Sequence, residues 1–126
     1  LATEECLRYD PPVKSTQRIA AEDVERRGKV IRKGDRLWWF MAAANRDPRA
    51  FEDPDRFDVG RQPNTHVSFG AGIHYCLGAS LARVEGQEVF RALAERFAEL
   101  RLETKELEYS PSVQFRSLTS LPVAWD

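Results

Sequence analysis

The stretch Phe69-Gly70-Ala71-Gly72-Ile73-His74-Tyr75-Cys76-Leu77-Gly78 crowds three glycines, two aromatics, a histidine and a thiol together. It runs directly into Ala79-Ser80-Leu81-Ala82-Arg83, which reads as a helix. Glycine lets a backbone turn tightly and approach a bulky object, because no Cβ stands in the way. A cysteine just ahead of a helix lies where the dipole and unpaired N–H groups favour a thiolate over a thiol. Backbone donors aimed at the sulfur would hold its charge and tune any metal it binds. One thiolate, an open loop and an aromatic neighbour suit an axial ligand to haem iron. The plain alternative is that Cys76 is a small apolar residue packed at a helix start. A third chemistry is a metal site of Cys76 with His66 and His74, the only two histidines, although the tight ligand pairs of zinc motifs are lacking.

The pattern Phe69-x-x-Gly72-x-His74-x-Cys76-x-Gly78 resembles the haem-binding loop of the cytochrome P-450 family, in its bacterial soluble form. The match continues through Ala79-x-Leu81-Ala82-Arg83-x-Glu85. The resemblance implies haem b (iron protoporphyrin IX) as cofactor, with Cys76 as the axial ligand to iron and Phe69, Gly70 and Gly78 shaping the loop. It places His74, where other members carry Arg, to bond a haem propionate. Arg18 aligns with an Arg that reaches a propionate, a charge-assisted bond that guanidinium suits; an exposed cross-strand charge is the other reading. By the same resemblance Val13, Lys14 and Ser15 fall where the family lines its substrate pocket. Val113-Gln114-Phe115 corresponds to a loop reaching toward substrate, with Phe115 the residue of interest. His66 has no defined role beyond loop packing.

The elements that must position this loop come from the rest of the chain. Leu1 to Tyr9 reads as the end of a helix, stopped by Asp10-Pro11-Pro12 because proline cannot continue it and restricts the residue before it. Glu5 and Arg8 stand three apart on one helical face, where carboxylate and guanidinium can pair. By resemblance they are the family's Glu-x-x-Arg motif, and Arg56 of Pro54-Asp55-Arg56-Phe57 is its third partner. The three are expected to form a structural ion network with Glu5 as shared acceptor. Thr16 to Ala20, Lys29 to Ile31 and Leu37 to Phe40 read as short strands, with a turn at Lys33-Gly34-Asp35. Ala42 to Pro48 reads as a short helix, and Phe51 to Asn64 as an irregular ordered connector tethered by Arg56. A long helix is expected over 79–99, mostly buried through Leu81, Val89, Phe90, Leu93 and Phe97, with Arg83, Gln87 and Arg91 as a wet strip. Strands and hairpins follow to Trp125.

Composition narrows the class further. The 126 residues are 42% hydrophobic and 31% charged, which excludes disorder, and a net charge of −1 gives no electrostatic footprint for nucleic acid. The longest apolar run, Leu37 to Ala44, is far short of the roughly 20 residues of a membrane span. Two cysteines provide no disulfide framework and fit a reducing cytoplasm; Cys6 reads as plain core.

The fold class expected is therefore α+β: a helix end, short strands and hairpins, an irregular meander, the cysteine loop, a long helix and C-terminal hairpins. Residues 1–126 would form the C-terminal, haem-ligating third of a single, mainly α cytochrome P-450 domain, with the N-terminal two-thirds cut away. The family's distal helix, with its acid–alcohol pair, lies outside the resemblance. The resemblance implies a haem-thiolate monooxygenase inserting one oxygen atom from O2 into a small organic substrate, fed by a ferredoxin-type redox partner near Arg83. An ordinary solvated charge is the alternative for Arg83. The alternative for the whole is a non-catalytic fragment that binds haem weakly or not at all. The loop and long helix should then expose apolar surface, covered by the rest of the fold or by self-association.

Overall fold

The computed structural model describes residues 1–126. Helix α1 (Ala2–Tyr9) ends at Asp10, whose φ of −143° and ψ of 74° leave the helical region just before Pro11 and Pro12. Its inward face is polar, consisting of Thr3, Glu5 and Arg8. Strand β1 (Ser15–Ile19) pairs antiparallel with β4 (Arg36–Phe40), in a register running from Ser15↔Phe40 to Ile19↔Arg36.

Between them rises a hairpin of β2 (Val24–Arg26) and β3 (Lys29–Ile31). Strand β2 is an addition to the sequence reading. It forms because Arg27 (φ 52°) and Gly28 (φ 73°) both adopt the left-handed region, giving a two-residue turn whose twist matches paired strands. Every residue of β2 is exposed. Helix α2 is shorter than expected, Met41–Ala44, and ends at Asn45 well before Pro48.

From Asn45 to Ala71 the chain forms neither helix nor strand, and Gly72–His74 make one 3-10 turn. Helix α3 spans Ala79–Arg96, three residues short of the expected Glu99. The tail adds β5 (Arg101–Leu102) paired with β6 (Val123–Ala124), and isolated bridges Tyr109↔Leu118 and Val13↔Phe115. The second bridge, with Lys14 N–H donating to the Gln114 carbonyl at 2.7 Å, stitches the tail to the segment entering β1.

The interior is small and largely polar. Ala20, Met41, Phe51 and Ala79 are its buried apolar residues, beside buried Thr3, Glu5, Arg8, Ser15 and Asn45. Helix α3 is not the mostly buried helix its periodicity implies: Leu81 is 62% and Val89 54% exposed, and only Ala79 is buried. The cause is geometric, because α1 alone among the helices packs closely on it. That contact is tight, as a Cβ at Gly86 would come within 2.6 Å of Thr3 Cγ2. The open apolar face is the one expected of these residues without a cover.

Candidate haem-binding cleft

The cysteine loop is shaped by glycines where it turns. Gly70 (φ 74°) and Gly72 (φ 65°) occupy the left-handed region, and a Cβ at Gly70 would lie 3.4 Å from the His74 carbonyl oxygen. Gly70 N–H donates to Val67 O (2.8 Å), Tyr75 N–H to Gly72 O (3.1 Å) and Cys76 N–H to Phe69 O (2.8 Å). The loop thus closes on itself and presents Cys76 at the surface, ahead of α3. The backbone donors expected at the sulfur are not there. Ala79 N–H bonds the Cys76 carbonyl at 3.2 Å instead, and the Gly78 Cβ position lies 4.0 Å from Sγ.

Cys76 opens onto a cleft of about 340 Å³ whose apolar wall includes Leu7, Val13, Met41 and Phe69. Arg18 and His74 line the same cleft and also border an adjoining recess with Arg36. Arg18 is steadied by its own strand, donating to Thr16 Oγ1 (3.2 Å) and Gln17 O (2.7 Å). Arg36 escaped the sequence reading; only the β1–β4 register, which puts it opposite Ile19, could have placed it near Arg18. Of the four pocket candidates, Val13 lines the cleft, whereas Lys14, Ser15 and Phe115 do not. Lys14 spends its ammonium on the Ser112 carbonyl (3.1 Å), and Phe115 is 54% exposed. Ser15 is buried and donates to Val113 O (3.2 Å). No three His, Cys, Asp or Glu side chains converge as a metal cluster.

Behind the loop sits a buried ionic knot. Arg8 makes a fork on Glu5, Nε to Oε2 and Nη2 to Oε1, both at 2.8 Å, with both side chains fully buried. Glu5 also accepts from the Asp58 amide (2.8 Å), Asn64 Nδ2 (3.1 Å) and Arg61 Nε (3.3 Å). The third cation is therefore Arg61, and Arg56 is a correction. The Arg56 side chain is 70% exposed and lies 3.9 Å from Asp58, while its carbonyl accepts from Arg8 (3.1 Å) and Arg61 (3.0 Å). Arg56 tethers through its backbone alone. Burial pushes the Glu5 carboxyl up, but Arg8, the Asp58 amide and Arg61 outweigh it and hold the pKa at about 2.

Asn45 links the knot to the loop. Its carbonyl accepts from Arg8 (2.9 Å), its Oδ1 from Val67 N–H (2.8 Å), and its Nδ2 donates to Ser68 Oγ (2.8 Å). His66 is packed as expected for a loop residue, with its side chain 2% exposed and Nε2 3.0 Å from Glu4. Arg83 is engaged inward, with Nε donating to Glu4 (2.9 Å) and Nη1 to the Tyr75 hydroxyl (3.1 Å).

This arrangement of helices, small sheets and cysteine loop is that of known haem-thiolate folds. It aligns with PksS, the bacillaene polyketide synthase cytochrome P-450 of Bacillus subtilis 168, at a TM-score of 0.95 and 44% identity, over 98% of this chain and 33% of that one. It aligns equally well with the tirandamycin C-bound monooxygenase TamI, at a TM-score of 0.95 and 43% identity, over 99% and 32% of the two chains. The family pattern for cytochrome P-450 matches residues 2–122, and the chain belongs to that family. Among curated relatives, the biotin biosynthesis cytochrome P-450 of Bacillus subtilis (strain 168) is 47% identical over 99% of this chain and 32% of its own length. The monooxygenase PikC of Streptomyces venezuelae is 45% identical over 98% and 30%. The chain thus spans about a third of the length of the curated relatives it matches.

The family cofactor is haem b, and the residues present fit it. A soft thiol donor stands in an apolar cleft, two side chains able to meet carboxylates share that cleft, and the loop turns on glycines that keep side chains clear. No helix is long and apolar enough to cross a membrane.

Proposed function

We propose that this chain is the C-terminal, haem-ligating part of a single cytochrome P-450 domain, acting as a haem-thiolate monooxygenase. The intact enzyme inserts one oxygen atom from O2 into a small organic substrate, with electrons from a ferredoxin-type redox partner, in the cytoplasm. The observation that carries this reading is the single cleft shared by Cys76, Arg18 and His74.

Haem, when bound, supplies the redox-active iron at which O2 is activated. The chain's own part is to hold it. Cys76 Sγ would be the axial ligand, on a loop fixed by the Phe69 carbonyl. Arg18 and His74, which line the cleft, would meet the cofactor's carboxylates, and Leu7, Met41 and Phe69 would give it an apolar wall. Val13 reaches the same cleft and is the residue proposed to touch substrate.

Carbon monoxide added to the ferrous protein should give the strongly red-shifted Soret band of thiolate ligation. Cys76→Ser should abolish that band, and an unchanged spectrum would refute the ligand assignment. Arg18→Ala should weaken haem retention roughly 10-fold while leaving the band position nearly unchanged; normal retention would reduce Arg18 to a strand surface charge.

A second reading rests on the outward apolar surface, where Leu77 and Ile73 are almost fully exposed. In it, the 126 residues fold and self-associate through α3 and the loop, binding haem weakly or not at all. Haem counted per chain, with mass analysis for a second polypeptide, separates the two.

A further inference from the structure

Three segments distant in sequence meet at one carboxylate that the ionic knot does not use. Glu4, in the first turn of α1, takes Arg83 Nε of α3 on Oε1 (2.9 Å) and His66 Nε2 on Oε2 (3.0 Å). The direction of the second bond follows from its neighbour. Ser68 N–H donates to His66 Nδ1 (3.3 Å), so Nδ1 is the accepting nitrogen and Nε2 donates to Glu4. Arg83 then continues to the Tyr75 hydroxyl (3.1 Å), one residue before Cys76, and its guanidinium lies 4.5 Å over the Phe69 ring. Phe69 is the residue whose carbonyl receives the Cys76 amide. Phe69, whose carbonyl holds the Cys76 amide, and Tyr75, the residue before Cys76, are therefore both touched by one guanidinium.

We infer that Glu4 and Arg83 are positioning residues, a clamp that fixes the cysteine loop through Tyr75 and Phe69. The helix contact beside it supports this. Thr3 is buried against Gly86 with no room for a Cβ, so α1 and α3 hold Glu4 and Arg83 at a set spacing. Only a guanidinium reaches both oxygens from one plane, through Nε to Glu4 and Nη1 to Tyr75. A lysine there serves one partner and releases the other. The clamp matters for function through the thiolate role proposed above, but its geometry stands without it.

The test is hydrogen exchange at the Cys76 amide, measured without haem, in Glu4→Ala, Arg83→Lys and Tyr75→Phe. The Ala20 amide, bonded to Asp35 O (3.0 Å) in the β1–β4 region, reports the rest of the fold. Cys76 should exchange roughly 10-fold faster in Glu4→Ala and Arg83→Lys, and less so in Tyr75→Phe, with Ala20 unchanged. Unchanged Cys76 exchange in all three would overturn the clamp, as would equal acceleration at Ala20. Should Glu4→Ala fail to fold, the two milder variants decide alone. Haem-loss rates should rise in the same order. Faster exchange in a protein that never takes up haem would keep the clamp and reject the thiolate reading.

Discussion

Around α1 the interior is charged and hydrogen-bonded, whereas along α3 and the cysteine loop apolar side chains face outward. Glu5 and Arg8 have no exposed side-chain surface; Leu77 and Ile73 have almost nothing else. The two regions are held by different physics. A polar knot needs only the right partners in the right directions, and a few residues complete it. An apolar face gains stability in proportion to the area it covers, so it needs a second surface of matching size. The first region is therefore complete within these residues, and the second is left uncovered by them.

Breaking the knot should have the largest effect. Glu5→Ala strands Arg8 in a buried site, at a cost of roughly 3–5 kcal/mol, enough to leave the chain unfolded and without haem. Recovery of folded, haem-loaded protein, judged by circular dichroism and absorbance, would contradict the comparison at its root. The same residue gives a pH signature. Its folded pKa of about 2 lies below the ordinary 4.5, so its stabilisation is fully present above pH 4.5 and lost as pH falls toward 2. Urea midpoints across that window should fall in the parent and lose part of this slope in Glu5→Gln.

The identity of the third cation gives an intermediate effect. Arg61→Ala removes a guanidinium that touches Glu5 and the Glu52, Asp53 and Arg56 carbonyls, and should cost about 1–3 kcal/mol. Arg56→Ala removes an exposed side chain and should stay within about 0.5 kcal/mol. Paired denaturation curves of the two variants decide it; the reverse ranking would restore Arg56 to the knot.

The smallest change in stability belongs to the open face. Leu81→Lys should shift the unfolding free energy by no more than about 0.5 kcal/mol, since little contact is lost. It should nevertheless reduce self-association in light scattering. A large destabilisation would mean that the face is already covered.

The same contrast explains what could be read from the sequence. Prolines 11 and 12, the strand formers of β1 and β4 and the glycine-rich loop act locally, so their elements were legible. Helical periodicity put Glu5 and Arg8 on one face, and the resemblance to the family's Glu-x-x-Arg motif made their pairing an expectation. Arg61 was not, because it sits in an irregular segment with no period, five residues beyond a more suggestive arginine. Glu4, Asn45 and Asn64 are ordinary polar residues until the chain folds; only distant partners give them roles. Strand β2 was hidden by its charge, since a wholly exposed strand has no apolar alternation to show.

The β2–β3 hairpin has a practical consequence. Its turn residues Arg27 and Gly28 are exposed, and a Cβ built on Gly28 meets nothing within 4 Å. Doubling the length of a flexible loop costs only about 0.6 kcal/mol in closure entropy. An affinity tag or fluorophore-bearing peptide spliced between Arg27 and Gly28 would project into solvent, leaving the cleft and the helices undisturbed. The tip is thus a natural graft point for immobilising or labelling the protein.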